Sequence, residues 1–90
     1  AVYIATPNAM HCDQAIAAAR AGKHVLVEKP MALTADEGRR MVAAADAAGV
    51  LLMAAYMTLF NPTYLAAKAL VASGRLGEIV AVRGRHSYPI

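Results

Sequence analysis

Ninety residues make one small domain or part of a larger one. A chain that is 59% hydrophobic and 17% charged is too apolar for a disordered segment and too poor in charge for a coiled coil. Its net charge of +3 is mild, and no zinc-finger or aromatic-rich RNA-binding motif accompanies it, which argues against a nucleic-acid partner.

The first residues, Val2-Tyr3-Ile4-Ala5, read as a buried strand. A chain that opens on a strand, with no initiator Met and no charged leader, reads as an interior piece of a larger domain. Thr6-Pro7-Asn8 is a turn signal, and Asn8 is expected to cap a helix from about Ala9 to Ala21. Ala15, Ile16, Ala18 and Ala19 form its inner face, and Gly22 supplies the left-handed C-terminal residue. Cys12 stands alone, so it has no internal disulfide partner and no metal-ligand set beside it. A lone thiol fits a reducing compartment, and a cytoplasmic location is the expectation.

His24 to Glu28 is short, β-branched and apolar, the pattern of a strand covered on both faces, and Pro30 ends it. Thr34 and Glu37 have capping-box spacing, opening a helix over Ala35 to Ala48 with Met41, Val42 and Ala45 turned inward and Gly49 closing it. Val50 to Ala54 is a third buried strand. No apolar run approaches the roughly 18 residues of a membrane span. Asn61-Pro62 opens another helix, with Leu65, Ala69 and Leu70 along one side, and Ser73-Gly74 stops it. From Ile79 to His86 apolar and charged residues alternate, which predicts a half-exposed strand with Arg83 and Arg85 outward.

Repeated alternation of apolar strands and helices predicts an α/β fold with a parallel, doubly wound sheet. In such sheets ligands bind beyond the C-terminal strand ends. Thr6-Pro7-Asn8 with His11, Glu28-Lys29-Pro30, and Tyr56 to Asn61 fall there, so their polar residues are expected to converge on one edge.

The ordered set Val2 to Asn8, His11, Ala21 to Pro30, Asn61-Pro62 and Gly74 to Ile79 resembles the Gfo/Idh/MocA family of NAD(P)-dependent oxidoreductases across nearly the whole chain. The resemblance implies the second half of a Rossmann domain over residues 1–54. It implies a crossover into an α+β substrate and oligomerisation domain over 55–90, hence a homo-oligomer. It implies NAD or NADP as cofactor and a sugar, cyclitol or other small polyol as substrate. Lys29 matches the motif lysine near the nicotinamide ribose and is the expected catalytic residue. Thr6, Pro7, Asn8, His11, Glu28, Lys29, Pro30 and Met57 are the expected cofactor-side residues, with no metal. The Lys29-Pro30 bond is expected to be cis. Many relatives carry arginines where Thr58 and Leu59 stand, which implies a less anionic pocket here. The glycine-rich loop and the substrate domain's catalytic Asp and His are expected outside these residues. A non-catalytic dinucleotide-binding sensor on the same fold is the rival reading.

Overall fold

The computed structural model describes residues 1–85, and they divide into two compact units, Ala1–Tyr56 and a second that starts at Met57.

In the first unit, strands β1 (Val2–Ile4), β2 (Val25–Val27) and β3 (Leu52–Ala54) form a parallel sheet in sequence order. Val2, Val25 and Leu52 share one register row, as do Ile4, Val27 and Ala54. Between the strands run α1 (His11–Arg20) and α2 (Ala35–Ala48). Neighbouring strands in chain order, joined by crossovers of one hand, place both helices on the same face. The two helices pack on the sheet and on each other.

The core therefore sits on that one face. Ile4, Val25 and Val27 project into it from the sheet, Cys12, Ala15, Ile16 and Ala19 from α1, and Met41 and Ala45 from α2. Ala18 is half-buried at its margin. On the other face Tyr3, Leu26 and Met53 lie in one row, 57%, 36% and 46% exposed. This corrects the expectation of a middle strand covered on both sides. The apolar pattern of residues 24–28 is real, but among the described residues of this unit only one side has a layer on it.

Local chemistry explains most boundaries. Thr34 accepts the Glu37 amide at 3.1 Å, satisfying a first-turn donor of α2, and the Glu37 carboxylate reaches one residue past the N-cap to accept the Leu33 amide at 2.8 Å, so the expected capping box is formed in its first half only. Gly49 ends that helix at φ 63°, a left-handed position. Val42 is exposed rather than inward, because Met41 and Ala45, four apart, already define the buried stripe and Val42 lies to its side. The Asn8 cap also fails. Pro7, at φ −56° and ψ 141°, starts a 3-10 turn over Asn8–Met10, and its carbonyl accepts the Met10 amide. Asn8 is thus already inside the turn, makes no capping bond, and the α-helix begins only at His11.

The second unit holds a 3-10 turn, Met57–Phe60, and α3 (Pro62–Ala72). Asn61 caps α3 as expected, its side chain accepting the Thr63 amide at 2.9 Å. None of the expected inner residues of α3 is buried: among the described elements of this unit only the short 3-10 turn packs against that helix. Residues 79–85 form no strand; a strand needs a backbone partner, and among the described residues they have none. His86, the end of the expected strand, lies outside the described residues. Among those described, no helix is long and apolar enough to cross a membrane.

Candidate functional site

Three loops leave the same edge of the sheet, because the three strands are parallel and end in one register row at Ile4, Val27 and Ala54. They carry Thr6-Pro7-Asn8, Glu28-Lys29-Pro30 and Ala55-Tyr56. The expected convergence of the first two segments, and of the start of the third, thus follows from topology alone. Met57, Thr58 and Leu59 belong to the second unit, where Met57 is exposed.

The last backbone bond between β1 and β2 runs from the Glu28 amide to the Ile4 carbonyl, 2.9 Å. Beyond it the two loops are joined by a side chain. His11, first residue of α1, is fully buried and lies between them. Its Nδ1 is 2.9 Å from the Pro30 carbonyl and its Nε2 is 2.9 Å from the Thr6 carbonyl. Both partners only accept, so each contact asks for an N–H. The doubly protonated ring supplies both; a neutral ring supplies one and sets a lone pair against the other oxygen.

Lys29 is exposed, and its ammonium makes no ion pair or hydrogen bond among the described residues. Its backbone, in contrast, is held on both sides. The Lys29 amide donates to Glu28 Oε2 at 3.0 Å, and the carbonyl of Pro30, one residue on, faces His11. The Lys29-Pro30 peptide bond is cis.

Glu28 lies on the open face with Tyr3. The Tyr3 hydroxyl donates to Glu28 Oε1 at 2.7 Å. That bond, then the one from the Lys29 amide, holds the Glu28 carboxyl below its ordinary pKa, while the same contact pushes the Tyr3 phenol above its own. Thr6 is half-buried, and its hydroxyl donates to Gln14 Oε1 at 2.7 Å. Pro7 and Asn8 are exposed. Sequence reasoning passed over Gln14 and Tyr3, although each lies on the side of its element that meets a site loop. Cys12 is buried in the core, its Sγ 3.7 Å from the Glu37 carbonyl, and burial raises its thiol pKa.

The exposed side chains of Lys29 and Asn8 thus stand on loops at the C-terminal edge of a parallel sheet, the edge at which α/β domains bind ligands. The arrangement is that of an α/β nucleotide-binding domain.

The comparisons narrow the class. Residues 1–56 match the model of the oxidoreductase family with an NAD-binding Rossmann fold, Gfo/Idh/MocA, and the chain belongs to that family. It is 44% identical to 1,5-anhydro-D-fructose reductase of Ensifer adhaerens, over 97% of this chain and 26% of that protein. It is 52% identical to an NADP(+)-dependent scyllo-inositol 2-dehydrogenase of Bacillus subtilis, over 71% of this chain and 20% of that one. Among solved structures it is similar to the WlbA dehydrogenase of Bordetella pertussis in complex with NADH and UDP-GlcNAcA. There the TM-score is 0.81 and the identity 44%, covering 83% of this chain and 22% of that one. The chain thus spans about a quarter of the length of the curated relatives it matches.

Proposed function

We propose that this chain carries the lysine half of the active site of an NAD(P)-dependent oxidoreductase acting on a carbinol or carbonyl carbon of a sugar, cyclitol or similar polyol. The observation that carries the reading is Lys29, an exposed ammonium with no partner among the described residues, on a backbone pinned from both sides at the ligand edge of the family's sheet. The bound nicotinamide accepts or supplies the hydride. Lys29 stands by the oxygen of the reacting carbon, stabilises negative charge as the hydroxyl proton leaves, and passes that proton on; in the reverse direction it returns one. Thr6, Pro7, Asn8 and Glu28 line the cofactor side, and Pro30 sets the approach of Lys29. Met57 adds an apolar contact toward the nicotinamide.

Residues 55–90 then open the substrate domain, whose further residues complete the site and form contacts between copies in a homo-oligomer. A cytoplasmic location is consistent with the single buried, unpaired cysteine. The sensor reading gains no support, since the matched relatives are named as reductases and dehydrogenases.

The test is Lys29→Ala in the full-length protein. Turnover is expected to fall about 100- to 10,000-fold, the range for losing a positioned proton-transfer group, while cofactor affinity changes little. Turnover close to that of the parent would remove Lys29 from the chemistry.

A further inference from the structure

We infer that His11 is a positioning residue: its buried ring braces the Thr6 loop against the Pro30 carbonyl and so holds Lys29 at the height the reaction needs. The inference rests on the reading of Lys29 given above and assigns the histidine a role behind the site rather than in contact with cofactor.

Four observations carry it. The ring has no exposed surface from which to touch a ligand. Both of its nitrogens are taken up, each 2.9 Å from a backbone carbonyl. The carbonyls belong to different loops, Thr6 after β1 and Pro30 after β2, past the point where backbone pairing between those strands stops at Glu28 and Ile4. Pro30 has no N–H, so its carbonyl is the only backbone group through which that residue can be tied down. Lys29 thus sits between two anchors, its own amide on the Glu28 carboxylate and the next carbonyl on the histidine. Removing the second anchor leaves the loop held at one end. A displacement of the order of 1 Å in a catalytic group is enough to cost about 100-fold in rate.

The experiment is a double-mutant cycle in the full-length protein, with His11→Phe and Lys29→Ala singly and together. His11→Phe fills the space and removes both ring nitrogens. It is expected to lower kcat about 10- to 100-fold with the substrate KM within about threefold. In the Lys29→Ala background the same change is expected to cost less than about twofold, because the group it positions is gone. A cofactor-free readout accompanies the cycle. Hydrogen exchange at the amides of Lys29 and Met31 should quicken about tenfold or more in His11→Phe, with exchange at Met41 in α2 unchanged.

Equal losses of kcat in both backgrounds would overturn the inference, as would unchanged exchange at residues 29–31 or a uniform rise across the domain. Parent-like turnover in Lys29→Ala alone would remove the lysine reading, and the inference with it. A loss there combined with additivity would remove the inference alone. If His11→Phe does not fold, His11→Asn, polar but too short to span both carbonyls, carries the same cycle.

Discussion

Glu28 and Tyr3 lie 25 residues apart, and each changes the other's titration. The Tyr3 hydroxyl stabilises the Glu28 carboxylate, so the glutamate's pKa is lowered and the tyrosine's raised. The lowered glutamate value means that the pairing stabilises the fold at pH above the ordinary carboxylate range and is lost as pH falls through the lowered value. The raised tyrosine value sets the other limit. That contribution is complete below the ordinary phenol range and disappears as pH rises through the raised value. In Tyr3→Phe the Glu28 midpoint is expected to move upward, toward that of a solvated glutamate. Carboxyl-carbon NMR titration would register the shift, and a midpoint that stays put would mean that the Lys29 amide alone sustains the depression. This pair was not legible in the sequence. Motif reading offered a cofactor-side role for Glu28 from its neighbours in the chain, and its bond to Tyr3 follows instead from strand register, which a single strand does not show. The same limit applies to His11, whose position was legible but whose two-sided contact depends on how far apart two loops stand.

At the scale of elements, the sequence was most readable where a local rule decides. Thr34 with Glu37, Asn61 with Pro62, and the left-handed glycines at 22 and 49 each satisfy backbone groups within a few residues. Asn8 went astray because Pro7, a stronger constraint one residue earlier, moved the start of the turn. The expected strand after Ile79 failed for a different reason: alternation says which side chains share a face, not what the backbone pairs with. Two stability changes follow. Thr34→Ala removes an N-cap bond and is expected to cost about 0.5–2 kcal/mol. Met41→Ala opens a cavity under α2, where Met41 is almost completely buried, and is expected to cost about 2–5 kcal/mol. Urea unfolding of the full-length protein would measure both, and a larger loss at Thr34 than at Met41 would contradict this account of where α2 draws its stability.

Over the whole first unit, one face of the sheet carries two helices and the other shows Tyr3, Leu26 and Met53. The apolar composition of the middle strand fits a doubly wound sheet, and the relatives are about four times as long as this chain. Leu26→Asp is therefore expected to behave differently in two settings. In the 90-residue chain, where Leu26 is already 36% exposed, it should change stability little. In the full-length protein, where the doubly wound reading puts a second layer over that row, it should cost about 2 kcal/mol or more for placing an unpaired charge against apolar neighbours. Comparable thermal shifts in both settings would argue that the face stays open.

The parallel order of the strands also separates two kinds of turn. The segments that follow strands hold Thr6, Lys29 and Tyr56, while those that lead into strands, at Gly22-Lys23 and Gly49-Val50, lie at the opposite edge. Those return bends are the natural attachment points for a fluorophore or a surface tether. A probe on Lys23 would report on the protein while leaving the lysine six positions later in the chain, but across the full height of the sheet, undisturbed.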